Sequence, residues 1–127
     1  MKQPIVARIA ATAVGVLALA AFVPAASAGG VNQSDVAKLT AYVQDNGLSC
    51  MGCHGIDTKL VGPAWTDVAK KYQGDPKAPS ELAKRIADGG SGIWGQVPMP
   101  SALATPAQAK ELAGMILALD PCAKGKR

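Results

Sequence analysis

Residues 48–65 read Leu48-Ser49-Cys50-Met51-Gly52-Cys53-His54-Gly55-Ile56-Asp57-Thr58-Lys59-Leu60-Val61-Gly62-Pro63-Ala64-Trp65. Within this stretch Cys50-Met51-Gly52-Cys53-His54 is the pattern through which a c-type haem is attached. The spacing has a chemical cause. Two thiols add to the two vinyl groups of one porphyrin as thioethers, and two intervening residues set the sulfurs to span those vinyls. The adjacent histidine then lies beneath the iron as an axial ligand. Gly52 eases the tight turn. The same residues admit a plain Cys50–Cys53 disulfide, a thioredoxin-like dithiol, or half of a zinc site completed by Cys122. No βαβ pattern surrounds the cysteines, and adjacent Cys53 and His54 are awkward as two ligands of one tetrahedral metal. The reading is therefore one covalent haem c held by Cys50 and Cys53, with His54 on the iron.

His54 is the single histidine in 127 residues. That excludes a bis-histidine haem, a two-histidine metal site and an H-E-x-x-H protease. The sixth iron ligand must be a methionine, a lysine or water. Met51 sits inside the attachment loop and cannot cross the haem plane. Met115 falls in a helical pattern, where a methionine commonly fills core gaps. Met99 lies between Pro98 and Pro100 in a glycine-rich stretch, and the two prolines restrict the backbone around it. We take Met99 as the axial ligand and keep Met115 as the remaining candidate. A thioether on iron raises the potential and suits an electron carrier.

Upstream, Lys2 and Arg8 precede an apolar run from Ile9 to Val23, Pro24, and the small-residue site Ala26-Ser27-Ala28. This is the layout of a secretory signal peptide over residues 1–28. The run is short for a membrane span, which needs about 20 apolar residues. The expected mature domain is 29–127, with no span, working in the oxidising periplasm where haem attachment belongs. Setting aside Lys2 and Arg8 leaves 11 basic residues against 9 acids, a net of +2. No dense basic patch suggests a nucleic-acid partner. Three cysteines are too few for a disulfide framework, and with two consumed by haem, Cys122 is left for a possible intermolecular disulfide.

The class is all-α, with three to four short helices and long loops. Ser34 is the expected N-cap of a first helix in which Val36, Leu39, Thr40 and Val43 recur at helical spacing, ended by Gly47. A short helix is expected over 66–72. Another is capped by Ser80, buries Leu82 and Ile86, and stops at Gly89-Gly90. The last starts with a Thr105/Gln108 capping box and Pro106. It lines up Ala109, Leu112, Ile116 and Leu119, with small Ala113-Gly114 for a close helix approach, and Asp120-Pro121 ends it. The tail from about 121 is expected to be mobile. Mature aromatics number four (Tyr42, Trp65, Tyr72 and Trp94), a thin supply for a domain of this size, so a cofactor is expected to fill the middle.

The sequence resembles the short, single-haem class I cytochromes c of bacteria, periplasmic carriers of electrons to nitrite reductases and terminal oxidases. The resemblance covers about residues 48–119. It rests on the attachment motif with the following 56–65 stretch, on Glu81-Leu82-Ala83-Lys84-Arg85-Ile86, and on Gly92-Ile93-Trp94-Gly95-Gln96-Val97-Pro98-Met99-Pro100. It implies that the Pro63 carbonyl accepts the His54 ring N–H and orients the ligand. It further implies that Arg85 and Trp94 donate hydrogen bonds to a haem propionate. It also implies that the first and last helices cross.

Four departures stand out. The segment between the first helix and Cys50 is longer, Met115 stands where short relatives often carry Trp, and Ala102 stands where some place an Asn near the ligand sulfur. Cys122 and the basic tail lie beyond the usual end.

The expected role is one-electron transfer between redox proteins that dock transiently at the haem edge, not catalysis. The apolar rim would be Met51, Gly52, Val61, Pro63, Val97 and Pro100, with Lys59, Lys70, Lys71 and Lys84 as steering charges. Two other roles use the same motif: a haem subunit of a larger periplasmic dehydrogenase, and a haem sensor or peroxidase with an exchangeable sixth ligand.

Overall fold

The computed structural model describes residues 30–120. The expected leader, the tail and Cys122 lie outside the described residues. Four α-helices follow in chain order: α1 Gln33–Asp45, α2 Trp65–Lys71, α3 Ala78–Asp88 and α4 Pro106–Leu117, with one 3-10 turn at Cys50–Gly52 between α1 and α2. Among the described residues the β-structure is a single antiparallel bridge, Gly90 with Met99.

α4 is the hub, packed against α1, α2 and α3. Of its expected apolar face, Ala109, Leu112 and Ile116 are buried on the helix; the helix ends at Leu117, short of the expected stop at Asp120, and Leu119 is buried just beyond it. Fully burying one leucine is worth about 1.5–3 kcal/mol. Against them lie Leu39 and Val43 of α1, Trp65, Val68 and Ala69 of α2, and Leu82 and Ile86 of α3. The 3.6-residue period of each helix thus delivers its apolar stripe to one cluster. Where α1 meets α4, Gln108 Nε2 donates to Asn46 Oδ1 at 3.4 Å. Of the small pair expected at a helix approach, Ala113 is buried, but Gly114 faces solvent and a β-carbon there would meet nothing within 4 Å.

The start of α4 matches expectation in detail. The Thr105 hydroxyl accepts from the Gln108 backbone N–H at 3.3 Å and the Gln108 side chain accepts from Thr105 N–H at 2.9 Å. Two other starts differ. α1 is capped by Asn32, whose Oδ1 accepts from the Ser34 N–H at 2.9 Å and from its hydroxyl at 2.6 Å. Ser34 is therefore inside the first turn, because an equally capable cap lies just upstream. α3 begins with Ala78-Pro79 after Lys77. Pro79 sits where a missing N–H costs nothing, and the Ser80 hydroxyl donates back to the Lys77 carbonyl at 2.9 Å instead of capping.

Candidate haem-binding site

The attachment motif occupies the 3-10 turn after α1. The N–H groups of Cys53 and His54 both donate to the Cys50 carbonyl, at 3.2 and 3.0 Å, which fixes both cysteines and the histidine relative to one another. Cys50 is buried and Cys53 exposed, and no disulfide joins them. Burial pushes the Cys50 thiol above its ordinary range. A backbone hydrogen bond opposes that shift, and the neighbouring Cys53 adds to it.

From His54 the chain runs out and returns. Gly62 N–H donates to the Cys53 carbonyl at 2.8 Å, and Trp65 N–H to the Gly55 carbonyl at 3.0 Å, so the loop 55–63 is stitched shut at both ends. Its closure brings the Pro63 carbonyl to 2.9 Å from His54 Nδ1. A carbonyl only accepts, so the proton is on Nδ1. In the neutral ring the Nε2 lone pair is then the one left to bind a metal. The imidazole is also stacked parallel to Trp65, with centroids 5.9 Å apart and planes 15° from parallel. Gly62 lies directly on the imidazole: a β-carbon there would collide with its Cε1 and come within 2.8 Å of Nδ1. Sequence reasoning missed this glycine, and nothing local marks it.

Met99 is held from the opposite side of the chain. Its N–H and carbonyl both pair with Gly90, each at 2.9 Å. Gly89 has φ +71° and ψ −152°, a region open to glycine and closed to other residues. A β-carbon on Gly89 would also collide with the Met99 carbonyl oxygen. On the far side, Ala102 N–H donates to the Ala87 carbonyl at 3.0 Å. The end of α3 therefore anchors the Met99 segment at three points. Met99 itself is half-buried and is not part of the apolar core, whereas Met115 and Met51 pack against that core.

Arg85 is exposed on α3 and forms no hydrogen bond or ion pair among the described residues. With Glu81, Lys84, Asp88 and Gly89 it lines a shallow depression of about 360 Å³. Trp94 is not a buried indole: it is 38% exposed, with the Lys71 ammonium 5.5 Å from its ring centroid. Of the four lysines considered for steering, Lys59 and Lys70 are exposed, Lys71 is over Trp94, and Lys84 is paired with Asp88, which offsets its charge.

The donor set suits a haem. One imidazole nitrogen is left for a metal, one thioether stands on a separate anchored loop, and two thiols precede the histidine in one turn. Leu60, Val61, Ile93 and Val97 are large apolar side chains that the protein leaves exposed. They come from the segments that follow His54 and precede Met99, which suits a broad apolar ligand. No helix among the described residues is long and apolar enough to cross a membrane.

The cytochrome c family model matches residues 45–120. Over 70 residues the chain is 54% identical to cytochrome c-552 of Hydrogenobacter thermophilus, an alignment covering 55% of this chain and 71% of that protein. Over 68 residues it is 48% identical to cytochrome c-551 of Pseudomonas aeruginosa, covering 54% of this chain and 65% of the other. Among solved structures, wild-type cytochrome c552 of Nitrosomonas europaea superposes with a TM-score of 0.58 at 43% identity, over 64% of this chain and 99% of that one. The class 1 cytochrome MtoD of Sideroxydans lithotrophicus gives a TM-score of 0.51 at 25% identity, over 71% and 98%.

Proposed function

The chain belongs to the cytochrome c family, and from that premise we propose that it is a periplasmic one-electron carrier whose haem iron is held between His54 and Met99. As in its relatives, one covalent haem c transfers the electrons. When bound, the haem supplies an iron that alternates between ferric and ferrous states.

The chain's own residues do the rest. Cys50 and Cys53 anchor the porphyrin through thioethers. His54 ligates through Nε2 while Pro63 holds its other nitrogen, and that second contact fixes ring orientation and raises ligand basicity. Met99 would supply a soft sulfur to the iron, which favours the ferrous state. Arg85 and Trp94 would offer N–H donors to the propionates, and the partnerless guanidinium supports that role. With both iron positions filled by the chain, no site would remain open for substrate, which suits a carrier better than an enzyme. Redox proteins dock transiently on the exposed apolar rim around Val61, Val97 and Pro100.

The observation that carries this reading is the 2.9 Å contact from His54 Nδ1 to the Pro63 carbonyl, beside two cysteines spaced for attachment. The test is one pair of absorption spectra of the holoprotein, oxidised and reduced. The expected result is a covalent haem that stays with the chain in acid acetone and shows a sulfur-to-iron band at the red end. A colourless protein with accessible thiols, made where haem-attachment machinery is active, overturns it. A haem without the sulfur band overturns the methionine ligand alone.

A further inference from the structure

The segment from Gly90 to Pro98 leads into Met99, and every one of its residues is exposed. Its backbone conformation favours glycine at three positions. Gly90, Gly92 and Gly95 all have positive φ, at +117°, +101° and +126°, and none of its side chains belongs to the core. The protein closes the segment at its base through the Gly90–Met99 pair and near its tip through Gly92 N–H to the Gly95 carbonyl at 2.7 Å. Neither bond ties the tip to the rest of the fold. Among the described residues the contact that does so is the Lys71 ammonium, 5.5 Å from the Trp94 ring centroid, beside the propionate contact proposed for the Trp94 N–H. Lys71 is the last residue of α2, a helix whose Trp65, Val68 and Ala69 are buried. One partner is thus on a fixed element and the other at the end of a glycine-jointed arm.

We infer that Lys71 is a positioning residue that latches the tip of the 90–98 arm to α2 and so opposes release of Met99 from the iron. The inference rests on Met99 being the axial ligand. Its physics is a local opening equilibrium. An external ligand would reach the sixth position only when Met99 leaves it, a local opening that a held arm tip disfavours, so its apparent affinity scales with the open fraction. A cation over an exposed indole face stabilises the closed form modestly, and its loss raises the open fraction about 2–5-fold. Arginine offers the same charge and stacks as well on the indole, whereas methionine keeps an unbranched stem without the charge.

The test is imidazole titration of the ferric holoprotein followed by absorption. In Lys71→Met the imidazole affinity is expected to rise about 2–5-fold, and in Lys71→Arg to stay at the parent value. In a Trp94→Leu background the Lys71→Met change is expected to have no further effect, since the partner is already gone. An unchanged affinity in Lys71→Met overturns the latch, even if thermal stability falls, because that pattern is a purely structural role. An equal rise in Lys71→Arg also overturns it. Met99→Ala separates the two levels. If that variant keeps the sulfur-to-iron band, the ligand assignment fails and the latch with it. If the band is lost while Lys71→Met binds imidazole like the parent, only the latch fails.

Discussion

Gly62 and His54 are in face-to-face contact: the Gly62 α-carbon lies on the imidazole so closely that a β-carbon would stand 2.8 Å from Nδ1 and 2.9 Å from Nε2. The contact makes the backbone of the 55–63 loop one wall of the imidazole's slot and the Pro63 carbonyl its stop.

Gly62→Ala is therefore expected to turn the imidazole or push the loop away, and either outcome strains the Pro63 contact. The expected loss is about 1–3 kcal/mol, the usual range for forcing an extra methyl into a packed site. Denaturant unfolding of the holoprotein measures it, and a shifted midpoint potential reports the disturbed ligand. An unchanged midpoint and unchanged stability would show that the loop yields freely.

Met99→Ala is expected to keep the haem covalently attached but to lose the sulfur-to-iron band. Imidazole or cyanide should then bind at the sixth position far more tightly than to the parent, because no internal ligand competes. A retained band would transfer suspicion to Met115, although that side chain packs against the apolar core.

Two glycines give opposite expectations. Gly89→Ala meets a forbidden backbone region and the Met99 carbonyl together, so it should cost at least about 1–3 kcal/mol and weaken the sulfur-to-iron band. Gly114→Ala, inside α4 with open space around its α-carbon, should stabilise by about 0.5–1 kcal/mol and leave the spectrum alone. Thermal unfolding of the two variants, read beside their spectra, checks both.

Ala102 is the one non-glycine residue at positive φ among those described, at +61°. Glycine visits this region freely and asparagine more readily than alanine. Ala102→Gly and Ala102→Asn are each expected to gain stability, by an amount on the order of 1 kcal/mol. Only Ala102→Asn carries an amide that could reach the Met99 sulfur, so it alone should shift the Met99 methyl resonances of the oxidised protein. Equal spectra for the two variants would confine position 102 to a backbone role.

Much of the helical frame was legible because its signals are local. The Thr105/Gln108 box, Pro106 and the Ala109-Leu112-Ile116 stripe all lie within one window of chain, and the structure uses each as read; Leu119 is buried beyond the helix end. The starts of α1 and α3 were less legible, because Asn32 competes with Ser34 and Pro79 draws Ala78 into the helix ahead of Ser80. The attachment motif was legible for the same local reason, since its chemistry needs five consecutive residues. The loop-closing contacts were not. Gly62 reads as an ordinary turn glycine until the chain doubles back on His54, and Lys71 as an ordinary surface lysine until a residue 23 positions later arrives over it.

The closure of His54 by residues 53–63 has a consequence for biogenesis. Every contact that orients this ligand spans fewer than about a dozen residues, so its loop-closure entropy is small and its formation does not wait for the rest of the fold. The Met99 half is different: it leans on the end of α3, and α3 is held by α4 at the far end of the domain. A chain emerging amino end first can thus present both thiols and a correctly faced imidazole to an attachment enzyme while α4 is still to come. On the proposed ligation the Met99 sulfur would arrive last, sealing a cofactor already bonded in place.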